Sequence, residues 1–253
     1  MYIFFVIFSI YFNVYYCIYP REIIVESESS FLRRSDFRYL GPKMELETEI
    51  VTMVSSFLTE DERLKKGKEC KNWYLPTRNM KYLLPDSYSN LPLHQIWRKM
   101  HYYERFMGSL EHCNEIYIPM FLVRHFILAR VILKEKKVEV WDSLADEKNP
   151  ILQSSKIADI LHNLDLFLEN QIKRKPGSFN FASFGIVRGR NVPRQQNLYD
   201  CGVFVILFMM NSCKLDSRSF VVSRFHTKFF FFFFKFCSYH TILEFFFTIV
   251  VRL

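Results

Sequence analysis

Residues 125–142 read HFILARVILKEKKVEVWD. From Phe126 to Leu133 every residue except Arg130 is apolar, as in a strand covered on both faces. Lys134-Glu135-Lys136-Lys137 makes a polar turn, and Val138-Glu139-Val140-Trp141-Asp142 returns to β-rich alternation. The stretch predicts a hairpin of a buried strand and a shorter partner. A short turn sets the outer ends of two strands side by side. His125 and Asp142 then become spatial neighbours although far apart in sequence.

Working outward, Ile116-Tyr117-Ile118-Pro119-Met120 is a further short strand. Leu46, Ile50, Met53, Val54 and Phe57 recur at helical spacing, with Glu45, Glu47 and Glu49 where a first turn favours acids. Residues 61–75 read as a charged loop ending in Asn72-Trp73-Tyr74-Leu75, and residues 84–93 are punctuated by Pro85, Pro92 and several Ser and Asn. Ile157, Ile160, Leu161, Leu164, Leu168 and Ile172 form a helical stripe. Phe184-Gly185-Ile186-Val187 reads as a strand. Residues 200–213, DCGVFVILFMMNSC, are nearly all apolar after Gly202 and suit a buried helix by their length. The expected fold is α+β, with a small mixed sheet and a central buried helix.

The chain has 253 residues, 50% hydrophobic and 24% charged, which excludes a wholly disordered, collagen-like or polytopic membrane protein. Its 18% aromatic content is concentrated at the ends. Residues 1–19 carry no charged side chain and are about long enough to span a bilayer, but lack a basic leader and a small-residue cleavage site. The tail includes six consecutive Phe, Phe229 to Phe234, with neither helical nor strand period. Both ends read either as membrane segments or as translated non-coding sequence.

The net charge is +8, with the densest basic groups at Lys65-Lys66-Gly67-Lys68 and Lys173-Arg174-Lys175. These read as solvated loops and helix ends, and no nucleic-acid partner is expected. The six cysteines include no CxxC pair and no Cys/His cluster with metal-ligand spacing, so neither a zinc site nor any other cofactor is expected. They are also too sparse for a disulfide scaffold, so a reducing compartment is the default, and one cysteine is free to act as a nucleophile.

That cysteine is Cys201. It stands between Asp200 and Gly202 at the start of the apolar helix, where unpaired amides and partial positive charge favour a thiolate. Gly202 leaves room for a substrate backbone. A thiol nucleophile needs a base, and the base needs a third group to fix its tautomer. Cys201, His125 and Asp142 fill those roles. The segment Pro193-Arg194-Gln195-Gln196-Asn197 precedes the cysteine closely, and a glutamine amide there can donate to an oxyanion, with the Cys201 N–H as second donor.

His125-Phe126, Trp141-Asp142-Ser143-Leu144 and Pro193-Arg194-Gln195-Gln196-Asn197-Leu198-Tyr199-Asp200-Cys201-Gly202 together resemble the ubiquitin-like-protein (SUMO) cysteine protease family, of adenain-type, papain-like fold. The resemblance covers roughly residues 32–211. The chain thus divides into an apolar segment 1–19, a protease-like catalytic domain 32–213 and an atypical Phe-rich tail 214–253. The resemblance makes Cys201 the nucleophile, His125 the base, Asp142 its orienter and Gln195 the oxyanion donor, and it puts Phe126, Trp141 and Gly202 at the substrate. The implied reaction is cleavage after the C-terminal Gly-Gly of a SUMO-like modifier, in precursor processing or deconjugation. The implied partners are such modifiers and their conjugates, in nucleus or cytoplasm, with a membrane involved only through residues 1–19. The chain departs from the family in three places. Phe126 replaces the usual Trp after the histidine, Glu45-Leu46-Glu47-Thr48 replaces an early Trp-Leu-Asn-Asp block, and the sequence from Leu215 onward is unlike the family's helices. Two other readings stay open: an acyltransferase using the same triad, and an impaired or transposon-derived relative that binds a modifier without turnover.

Overall fold

The computed structural model describes residues 21–27, 30–40, 43–67, 69–77, 112–144, 151, 154–169 and 180–214, with side chains in the second long helix followed to residue 165. The two aromatic ends, residues 84–93, Lys173-Arg174-Lys175, Ile172 and the side chain of Leu168 lie outside the described residues.

A mixed five-stranded sheet organises the rest. Its strands are β3 (Asn72–Tyr74), β4 (Glu115–Leu122), β5 (His125–Ile132), β6 (Lys137–Trp141) and β7 (Gly185–Arg188), in that spatial order. The centre is antiparallel, while β3 and β7 join its two edges in parallel. Strands β1 (Ile23–Glu26) and β2 (Phe31–Arg33) form a separate antiparallel pair. The helices are α1 (Thr48–Lys66), α2 (Ser154–Glu169) and α3 (Cys201–Met210).

The hairpin read from residues 125–142 is the β5–β6 pair, with Ile132 opposite Lys137 and Leu128 opposite Trp141. Alternation along the strands sorts side chains to two faces. Ile116, Ile118, Met120, Ile127, Ala129, Val131, Val138 and Val140 pack with Ile157, Ile160, Leu161 and Leu164 of α2. Tyr117, Phe126, Leu128 and Trp141 face the other way and pack with α1 and α3. Helix α3 is therefore covered by the sheet on one side and by α1 on the other, which is why its sequence has no polar face. This is the α+β architecture expected, with the central helix starting at Cys201.

Two expectations need correction. Residues 61–75 are not a loop. Helix α1 runs on to Lys66, its charged last turns lying at the surface with an Asp61–Lys65 pair one turn apart. Gly67 then ends it at φ +59°, donating its N–H to Arg63 O at 2.7 Å, and Asn72–Tyr74 is a strand. The strand ending at Met120 extends to Leu122. Ahead of residue 32, the β1–β2 pair puts Val25 into the core beside Leu32 and α1.

Candidate active site

The β5–β6 register explains how two distant residues meet. Carrying it one step past Leu128–Trp141 puts Asp142 opposite Ile127, two residues from His125. That diagonal is within reach of an imidazole and a carboxylate. His125 Nε2 donates to Asp142 Oδ1 at 2.7 Å, and the same oxygen accepts the Leu144 N–H at 2.9 Å. With Nε2 committed to Asp142, Nδ1 is the nitrogen left for Cys201, whose influence, like that of Asp142, favours the protonated ring. Burial alone would push the His125 imidazole down. The hydrogen bonds and charges of Asp142 and Cys201 outweigh it and raise the ring from 6.5 to about 9.

Cys201 is buried as the first residue of α3. The N-cap residue, Asp200, makes no side-chain cap bond. Instead its carboxylate accepts Asn197 Nδ2 at 2.7 Å, while Asn197 Oδ1 accepts the N–H groups of Tyr199 and Asp200 at 3.1 and 3.0 Å. Asn197 thus folds the approach to Cys201 into a turn of the Asx kind. Gln195 is held between two partners: Ser143 Oγ donates to its Oε1 at 2.5 Å, and its Nε2 donates to Asn197 O at 2.6 Å.

The residues expected at the substrate, Phe126, Trp141 and Gly202, are all buried. Phe126 is 1% exposed and Trp141 3%. Phe126 packs at 4.6 Å on Phe121 and Trp141 at 5.2 Å on Phe208, ring centre to ring centre. Gly202 is also buried, and the space its Cβ would take is filled by Leu46 and Phe126, a packing reason for glycine beyond room for a substrate. The apolar side chains that do reach solvent near the triad are Phe121, Val123, Leu144 and Leu198. No group of residues able to hold a metal ion occurs among the described residues.

The sequence model of the Ulp1 protease family, C-terminal catalytic domain, matches residues 98–239, more than half of the chain. The chain belongs to this family of cysteine proteases. His125, Asp142, Gln195 and Cys201 all fall inside the matched stretch. Among curated relatives, a sentrin-specific protease of Caenorhabditis elegans is 33% identical over 94 residues, which is 37% of this chain and 12% of that protein. The ubiquitin-like-specific protease ESD4 of Arabidopsis thaliana is 27% identical over 174 residues, 67% of this chain and 32% of that protein. The chain therefore spans about a third or less of these relatives' length. Among solved structures, the SUMO protease Ulp1 with its catalytic cysteine oxidised to a sulfenic acid superposes with a TM-score of 0.59 at 18% identity, covering 85% of this chain and 88% of that one. The catalytic domain of a Chaetomium thermophilum Ulp1-like SUMO protease gives 0.57 at 20% identity, covering 82% and 78%. These likenesses establish the Ulp1 protease fold.

Ser143 and Asn197 stood within the family-like motifs, yet sequence reasoning gave neither a role. Nothing in a sequence shows a hydroxyl meeting an amide 52 positions away. Asn197 carried a usable signal, since Asn two and three residues before backbone amides commonly turns the chain.

Proposed function

We propose that the chain is a thiol protease that cleaves after the C-terminal Gly-Gly of a SUMO-like modifier, as processing enzyme or isopeptidase. The observation that carries the reading is the 2.7 Å bond between His125 Nε2 and Asp142 Oδ1, which leaves Nδ1 of the same ring for Cys201. The names of the Ulp1-family relatives, and a solved Ulp1 protease domain in complex with Smt3, the yeast ortholog of SUMO, support the choice of substrate class.

In this mechanism Asp142 holds the Nε2–H of His125, and Nδ1 carries the proton taken from Cys201, in keeping with a ring raised to about 9. The sulfur attacks the carbonyl carbon of the modifier's terminal glycine. The resulting oxyanion is held by the Gln195 amide and the Cys201 N–H. Collapse breaks the C–N bond, and His125 returns the proton to the leaving amine. Water, deprotonated by the same imidazole, hydrolyses the thioester and restores the thiol. The modifier, rather than a metal or cofactor, supplies the electrophile. Nucleus or cytoplasm is the proposed location. No helix among the described residues is long and apolar enough to cross a membrane.

The test is labelling of the full chain by a SUMO bearing a C-terminal vinyl sulfone, together with release of a fluorogenic amide from a SUMO C-terminus. Both are expected for the parent and neither for Cys201→Ser. Labelling that survives the substitution, or a parent that neither labels nor hydrolyses, rejects the assignment. Formation of an acetyl thioester from acetyl-CoA at Cys201 would favour acyl transfer instead.

A further inference from the structure

We propose that Ser143 is a positioning residue that, together with the Asn197 carbonyl, fixes the rotation of the Gln195 side-chain amide and so aims one of its N–H bonds at the reacting carbonyl. The proposal rests on the reading of Gln195 as oxyanion donor and adds the group that makes it one.

An amide side chain has two ends of similar shape and opposite hydrogen-bonding character, so its usefulness as a donor depends on which end faces the substrate. Around Gln195 the partners leave one solution. The Asn197 carbonyl can only accept, so the atom 2.6 Å from it must be Nε2. Reversing the amide would set two carbonyl oxygens against each other. The other end, Oε1, then faces Ser143 at 2.5 Å, and the serine hydroxyl must donate to it. Ser143 is 1% exposed and Gln195 8%, so water does not compete readily for either bond. The main chain reinforces the pair, since the Gln195 N–H donates to Ser143 O at 3.1 Å. Nε2 carries two hydrogens and spends one on Asn197. The second has no partner among the described residues and is the one available to an oxyanion.

The placement of Ser143 adds a consequence. Asp142 orients the base, and the next residue orients the oxyanion donor. One dipeptide at the end of β6 therefore sets both halves of the machinery, with the Leu144 N–H holding Asp142 from the other side. Removing the Ser143 hydroxyl should free the amide to rotate while leaving the His125–Asp142 bond intact.

The experiment compares the full chain with Ser143→Ala, Ser143→Thr, Gln195→Ala and the Ser143→Ala/Gln195→Ala double variant. For Ser143→Ala we expect kcat on a SUMO C-terminal fluorogenic amide to fall by about tenfold, less than the loss of a whole oxyanion donor, with KM within about twofold. Ser143→Thr, which keeps the hydroxyl, should recover most of the loss. In the Gln195→Ala background the serine substitution should cost nothing further. The pH profile of Cys201 alkylation by iodoacetamide, which reads the Cys201–His125 pair and not the oxyanion site, should not move. Full kcat in Ser143→Ala, an additive double variant, or a shifted alkylation profile overturns the proposal. A readout independent of turnover separates it from the protease reading. The Gln195 side-chain N–H resonances should be resolved and slow to exchange in the parent and lose that protection in Ser143→Ala. Unchanged protection overturns the positioning role, whereas a parent that never hydrolyses the amide overturns the protease reading alone.

Discussion

Gly202 lies so close under Leu46 that a Cβ built on it would stand 2.9 Å from the leucine's own Cβ, with Phe126 Cδ2 at 3.2 Å. Neither Leu46 Cβ nor the backbone of α3 can be moved by a change of rotamer. Gly202→Ala should therefore destabilise the fold by about 1–2 kcal/mol. The overpacking cost of roughly 1–3 kcal/mol exceeds the gain of up to about 1 kcal/mol from replacing a helical glycine. A urea titration against the parent checks this. A variant as stable as the parent would show that α3 can slide away from Leu46.

Phe126→Trp, which restores the residue usual in the family, should not improve this chain. Phe126 is buried between Phe121 and the Leu46–Gly202 contact. An indole there must displace packed neighbours, at a cost of about 1–3 kcal/mol. Thermal unfolding reads the cost. An unchanged or higher Tm would mean that the pocket has slack not evident in its contacts.

Stability should fall as the pH is raised across the range where His125 titrates. The folded chain holds its proton to about 9 against an ordinary 6.5. The extra stability is therefore complete below about pH 6.5 and is lost as pH rises through about 9, on the order of 2–3 kcal/mol in all. Asp142→Asn removes the carboxylate charge and should flatten that part of the curve. Chemical denaturation from pH 6 to pH 10, parent against variant, isolates the contribution. Parallel curves would sink it.

The β4–β5 turn should be improvable. Val123 and Arg124 both have left-handed backbones, at φ +50° and +58°, and Val123 is 96% exposed. A two-residue hairpin turn with both central residues at positive φ favours Asn-Gly, and a β-branched residue there is costly. Replacing Val123-Arg124 by Asn-Gly should stabilise the chain by roughly 1–2 kcal/mol. A loss of stability would show that one of these side chains makes up for its backbone.

Much of this was legible beforehand, for identifiable reasons. The β5–β6 hairpin announced itself because a covered strand, a charged turn and an alternating partner are three different textures. Helix α3 did so because ten apolar residues exceed a strand's usual length. His125 and Asp142 followed from hairpin geometry. The end of α1 was hidden because Asp61, Glu62, Arg63, Lys65 and Lys66 on a solvated helix look like a solvated loop. Strand β3 was hidden because three residues are too few to show a period, and its pairing with β4 is non-local. Phe126 and Trp141 were read towards the substrate from resemblance alone, and strand parity puts both in the layer beneath α3. The Ser143–Gln195 bond depends on where two loops come to rest, and no spacing rule encodes that.

Cys201 and His125 hang from opposite kinds of support. Cys201 opens a helix wrapped by α1 and the sheet, so its backbone is anchored in the core. His125 follows a turn that is solvent-exposed and conformationally strained. Fluctuations that spoil the alignment will therefore arise mainly from the hairpin, with the sulfur as the fixed point. Heating should erode turnover by loosening the imidazole's aim well before it releases the thiol.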